Sequence, residues 1–205
     1  MRTSFAVIAP LLFVSTALPA AANDSTYTDF DTKHCKSLLT TEEQEGGSAM
    51  LLCKGLKGYP VTLKEGDLRQ SFSYGKISKA YTDNTFESFE PFNHTGNKIE
   101  WRIDKNGVPV ATILRWFLEN LDPETYVPTP ARRGEVLVIS KVAQENDGTS
   151  CVAGYVDALA NPEPNVIARR VADEIAPVFK CGVDEAVFHG TRGDKAAEPT
   201  HVFPE

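Results

Sequence analysis

The apolar residues of this chain recur with the period of a strand in several places and with the period of a helix in one. In "IEWRID", Ile99, Trp101 and Ile103 alternate with Glu100, Arg102 and Asp104, which predicts a half-buried strand. "DKNG" follows, with Asp first and Gly fourth, the pattern of a type I turn closed by a left-handed glycine. The return segment "VPVATILRWF" is apolar at almost every position, so both of its faces are covered or it is central in its sheet. Pro109 lacks an N–H and must sit at a bulge or an unpaired position. In "LRQSFSYG", Leu68, Phe72 and Tyr74 share one face and Arg69, Ser71 and Ser73 the other. "SAMLLCKG" and "YPVTLK" read as two earlier strands, and "EVLVISKVA" and "SCVAGYVDAL" as a second hairpin about the turn "QENDGT".

The helical period comes last. "NPEPN" opens a helix that Asn161 can cap and whose first turn suits Pro162. Ile167, Val171, Ile175 and Val178 form its inner stripe, with Arg169, Arg170, Asp173 and Glu174 outside, and Pro177 kinks or ends it. Near the N-terminus "DTKHCKSLL" is a candidate short helix and "TTEEQEGG" a solvated turn. The expected class is α+β: a single domain with a mainly antiparallel sheet of about seven strands and one long C-terminal amphipathic helix packed on one face.

Residues 1–22 stand apart from this pattern. Arg2 precedes an apolar run from Phe5 to Leu18 that is too short to span a bilayer, and Ala20 to Ala22 supply the small residues of a cleavage site. This is a secretory signal peptide cut before Asn23. The domain is expected over 23–189, and the polar residues 190–205 are expected as a flexible tail. No long apolar run follows the leader, so no membrane span is expected.

Secretion changes the meaning of the four cysteines, Cys35, Cys53, Cys151 and Cys181. In an oxidising compartment an even count predicts two disulfides. The strand from Cys151 to Leu159 runs out roughly 27 Å, and a helix from Pro162 to Phe179 returns by about the same length. Cys181 therefore lands near Cys151, which leaves Cys35 for Cys53. No CxxC and no suitably spaced histidine supports a zinc site.

Composition excludes more than it names. The formal charge is −7, and −8 once the leader and its Arg2 are gone. No Lys/Arg cluster is longer than Arg132-Arg133, so nucleic acid is not an expected partner. GxSxG, HExxH, GxGxxG, Walker and EF-hand signatures are absent, and no cofactor or metal is expected. Asp29 with Asp31, and Glu145 with Asp147, supply too few oxygens for calcium. Arg192-Gly193-Asp194 is a short motif that reads as chance, and the sequons at Asn23 and Asn93 matter only if the source is a eukaryote.

One segment draws attention as a site. "KISKAYTDNTFESFEPFNHTGNK", Lys76 to Lys98, has no clear period and carries Tyr81, Phe86, Phe89 and Phe92. Either these aromatics are a fixed cover on the sheet, or they form a lid or partner surface. Arg69, Arg102 and Arg115, on neighbouring strands, could offer charge to an anionic ligand beneath it, or could lie on a solvated face paired with Glu100 and Asp104. The functional expectation is a secreted, periplasmic, non-catalytic binding protein for a small molecule or an envelope protein. The alternatives are a small hydrolase using His94 or His189, and an envelope or inhibitor protein acting through a protein interface.

Overall fold

The computed structural model describes residues 23–204. The expected signal peptide lies outside them. Eleven strands form where about seven were expected. They are β1 (Asp24–Asp29), β2 (Lys36–Ser37), β3 (Ala49–Leu56), β4 (Tyr59–Gly66), β5 (Arg69–Gly75), β6 (Phe86–Phe89), β7 (Asn93–Ile103), β8 (Pro109–Leu118), β9 (Gly134–Ala143), β10 (Val152–Asp157) and β11 (Pro199–Val202). Two short helices, α1 (Thr41–Glu45) and α2 (Lys79–Asn84), interrupt them. The longest helix among the described residues is α3 (Pro164–Glu174), continued by a 3-10 turn at Ala176–Val178.

Nine strands make one sheet in the order β1-β7-β8-β9-β5-β4-β3-β2, with β10 also on β9. The sheet is mixed. Every pairing is antiparallel except β5 with β9, where Tyr74 and Gly75 run parallel to Val142 and Ala143. The reason is a split edge: β10 occupies β9 from Val136 to Ser140, and β5 takes the end that β10 leaves free. β6 and β11 form a separate two-stranded pair.

The sheet curls on itself, and aromatic side chains from the strands on either side of β9 meet inside. Phe72 of β5 lies edge-on to Trp116 of β8, and Tyr74 to Trp101 of β7, each with ring centroids 5.8 Å apart. Trp101 is fully buried, as its place between Ile99 and Ile103 predicts, and its indole N–H donates to Thr28 Oγ1 at 2.8 Å. A second core lies outside the curl, between Ala111, Ile113, Leu137 and Ile139 of the sheet and Ala168, Val171 and Ala172 of α3. β8 and β9 are therefore covered on both faces, which is why their sequences are apolar at nearly every position. Pro109 sits at the register shift where Ile103 faces it, so its missing N–H costs no ladder bond. The Asp104 turn closes as expected, with Gly107 at φ +80°.

Several expectations are corrected. The Thr40–Gly46 stretch is a helix, because Thr40 and Glu43 form a reciprocal capping box. Leu68 is not on the Phe72–Tyr74 face but is exposed in the β4–β5 turn at φ +57°. α3 starts at Pro164, with Glu163 at the cap position and no side-chain cap. Asn161 is instead buried, bridging Asp157 O, Thr191 O and the Thr191 N–H. Val178 is outside, since the chain has tightened to a 3-10 turn at Pro177. Arg169 and Asp173, expected in solvent, face the sheet and pair with Glu100 and Arg102. Beyond Gly190, where a flexible tail is expected, the chain crosses back over β10. There Gly193 N–H donates to Asp157 Oδ2, Ala196 is buried, and β11 pairs with β6.

Both disulfides form with the expected pairing, Cys35–Cys53 and Cys151–Cys181, and no cysteine is free. Such crosslinks belong to an oxidising compartment. No helix among the described residues is long and apolar enough to cross a membrane.

Candidate functional site

The segment from Lys76 to Lys98 is not a structureless lid. It contains α2, β6 and the first half of β7. Ser78 caps α2 by accepting from Tyr81 N, and the Lys64 ammonium reaches up from β4 to the Thr82 and Thr85 carbonyls at its end. Tyr81 is half-buried, and its hydroxyl is buried with no hydrogen-bond partner among the described residues. Phe89 is core, wedged edge-on between Trp116 and Tyr155. Phe86 and Phe92 are half-buried, and Phe92 lies under the Arg69 guanidinium at 5.0 Å.

The arginines do not converge. Arg69 is held at the β4–β5 turn by Asp67 and the Glu90 carbonyl. Arg115 pairs with Glu135 at 2.9 Å. Arg102 lies beneath α3, with 4% exposure. Its guanidinium grips the Asp173 carboxylate through both oxygens at 2.8 and 2.7 Å and also donates to Ser25 and the Asn23 carbonyl. Each arginine already has a carboxylate, and they are not brought to one ligand. The histidines are equally scattered. His94 stacks on Phe117 and lies 3.5 Å from Glu119, and His189 packs on Gly154 near Arg170. Among the described residues neither is hydrogen-bonded to both a carboxylate and a hydroxyl. Asn93 of the sequon is buried, its amide donating to Ser88 and Pro91.

Two cavities remain as sites. One is a groove of about 390 Å³ on the outer face of β3 and β4 below α2, with Leu38, Met50, Leu52 and Ile77 on its walls. Its lysines are already paired, Lys76 with Glu145 and Lys79 with Asp83. The other, of about 380 Å³, lies between β6, β10, β11 and the loop that follows Cys181.

The second cavity is chemically distinctive because Glu87 lines it at 5% exposure. Strand geometry puts it there. Residues two apart share a face, so Glu87 points the same way as the core residue Phe89. β6 is fixed on one side by Ser71 Oγ, which accepts the Glu87 N–H, and on the other by β11, where His201 is the register partner of Glu87. The Glu87 carboxyl accepts one hydrogen bond, from Val152 N, shared between its two oxygens at 3.1 and 3.0 Å. Burial drives its pKa up to about 8, with the Val152 N–H only partly opposing. Tyr155, beside it on β10, is 4% exposed, and nothing among the described residues hydrogen-bonds its hydroxyl. Burial, and then the charge of Glu87, pushes the Tyr155 and Tyr81 phenols upward as well.

The walls are held from outside the cavity. Segment 187–189 runs alongside β10, with Tyr155 N donating to Val187 O and His189 N to Tyr155 O. The Cys151–Cys181 disulfide anchors the start of the loop carrying Asp184 and Glu185. Glu87 and Tyr155 were missed in the sequence. The signal for Glu87 was a charge two residues from Phe89 on a strand too short to show a period, and its partner strand is 110 residues away in β11.

Comparison with protein-family models, with curated proteins and with solved structures found no match.

Proposed function

We propose that this protein is an extracytoplasmic binding module that holds one small ligand in the cavity built on Glu87 and Tyr155. The observation that carries the reading is a carboxyl group almost fully removed from water at the wall of an open cavity, with most of its acceptor capacity unused. A fold gains nothing by burying such a group on its own, since desolvation is costly and one amide N–H offsets little of it. The lining offers no serine, threonine or thiol nucleophile, which favours binding over group transfer. The leader of residues 1–22, the two disulfides and the alanine-rich cleavage site support the bacterial periplasm as its location.

The test is a thermal-shift screen of the purified full chain against a panel of small metabolites, run beside Val183→Trp. Val183 is at the cavity wall yet 78% exposed, so an indole there can obstruct the mouth without disturbing the core. A ligand at hundredfold excess over its Kd should raise the Tm of the parent by about 5–10 °C. Val183→Trp should melt like the parent and lose the shift. A variant that keeps the full shift would place binding elsewhere.

A further inference from the structure

Resting on that cavity reading, we propose that the ligand is a small organic cation, a primary ammonium on an apolar stem, with its charge on Glu87 and its stem against Tyr155. The lining contains four carboxylates, Glu87, Asp184, Glu185 and Glu198, and no lysine or arginine. Two of them have partial answers already: Asp184 accepts the Lys180 N–H, and Glu198 pairs with Arg192 at 2.8 Å, outside the lining. Among the described residues Glu87 and Glu185 have no cation. An anion entering here would meet the side chains of Asp184, Glu185 and Glu198 and no lysine or arginine among the described residues. A neutral ligand without an N–H or O–H would leave the Glu87 oxygens short of donors, and one hydroxyl would supply a single donor where an ammonium supplies three. A bare metal ion needs several ligand atoms within bonding reach of one point, and no group of three His, Cys, Asp or Glu among the described residues converges in that way.

An ammonium group fits what is present. It brings three donors. Glu87 has spare acceptor positions on both oxygens, and the unpartnered Tyr155 hydroxyl can accept a further bond. The ring of Phe203, at the rim, and that of Tyr155 present aromatic surface, which attracts an organic cation and shelters its carbon stem.

This arrangement links binding to a proton. Glu87 is mostly protonated below about pH 8 in the empty protein, and a cation must displace that proton. Affinity should therefore rise as pH rises from 6 towards 8, and the proton should appear in solution. The other titratable groups facing Glu87 are the Tyr81 and Tyr155 phenols, the Asp184, Glu185 and Glu198 carboxylates, and His201 across the strand pair. His201, the imidazole across the strand pair, is the control replacement.

Benzylammonium, benzyl alcohol and benzoate, which share a ring and differ in charge, are the probes. Isothermal titration of the full chain in two buffers of different ionisation enthalpy gives affinity and protons released together. Benzylammonium should bind at least tenfold tighter than either companion and release close to one proton at pH 7. Glu87→Gln should lose at least tenfold in affinity and all proton release, while His201→Gln keeps the release. Tyr155→Phe should fold and bind several-fold more weakly. If benzyl alcohol or benzoate binds as well as the ammonium and Val183→Trp abolishes it, the cavity stands and the cation inference falls. If no probe binds, or Val183→Trp leaves binding intact, both readings fall. Ammonium binding that persists undiminished in Glu87→Gln also overturns the inference.

Discussion

A carboxyl group forced out of water keeps its proton, and that has a measurable cost at Glu87. Its folded pKa of about 8 stands above the ordinary value of 4.5, so the folded protein binds a proton that the unfolded chain has already released. Stability from this group is complete below about pH 4.5, falls as pH rises towards 8, and is constant at its reduced level above that. At about 1.4 kcal/mol for each pH unit between the two values, the loss amounts to several kcal/mol. Glu87→Gln keeps the shape and removes the titration. Denaturant unfolding of parent and variant from pH 5 to pH 9 should show the variant gaining steadily on the parent by several kcal/mol, with the gain ending near pH 8. Two parallel stability curves would mean that Glu87 is not held protonated. The sequence contained this residue in plain view. What hid it is that burial depends on the register between β6 and β11, and no local pattern encodes a pairing between distant segments.

At the scale of elements, α3 shows how charge and packing divide the work. Its contact stripe is small, Ala168, Val171 and Ala172, so the helix sits close against β8 and β9 but contributes little area for a seal. Its flank is closed by a network in which Arg102 grips Asp173 and Arg169 grips Glu100, with Ser25 and Tyr27 of β1 joined to it. Burial alone would raise the Glu100 carboxyl, yet the bonds from Arg169 and Ser25 hold it below its usual range. Arg102→Met removes the cation and leaves the partly buried Asp173 carboxylate without its partner, which should cost about 3–5 kcal/mol. Asp173→Leu added to it should recover much of that loss, because an apolar pair replaces a broken ionic one. A double-mutant cycle by urea unfolding checks this, and two additive losses would contradict it. Helical period predicted where α3 runs, and strand alternation predicted that Arg102 opposes the Trp101 face. Neither predicted that this polar face is itself covered. The i, i+4 spacing of Arg169 and Asp173 looks like a solvated surface until β7 is placed beneath it.

Across the whole molecule, what reads clearly in the sequence is whatever a single hairpin or one helix decides: the Asp104 turn, the doubly covered strands β8 and β9, Trp101 in the core, and both disulfides. The parallel contact of β5 with β9, the curl that brings Phe72 to Trp116, and the return of β11 to β6 all need segments far apart in the chain, and the cavity exists only where these meet. The two disulfides illustrate the same division between local and global roles. Cys35–Cys53 closes 18 residues and Cys151–Cys181 closes 30. Chain entropy makes them nearly equal in stability, about 3 kcal/mol and about 4 kcal/mol. Their places differ. Cys35–Cys53 staples the N-terminal segment to β3, on the wall of a different pocket that contains neither Glu87 nor Tyr155. Cys181 directly precedes Gly182–Ala186, which is one wall of the Glu87 cavity, and its partner Cys151 directly precedes Val152, whose N–H donates to the Glu87 carboxyl. Cys35→Ser with Cys53→Ser should therefore lower the Tm by roughly 10 °C and leave benzylammonium affinity unchanged at 25 °C. Cys151→Ser with Cys181→Ser should lower the Tm by a similar amount and also weaken that affinity several-fold, because the wall can move away from the carboxyl it faces. Calorimetric melting and titration of the two double variants separate the roles, and equal loss of affinity in both would show that the second disulfide does no more for the cavity than the first.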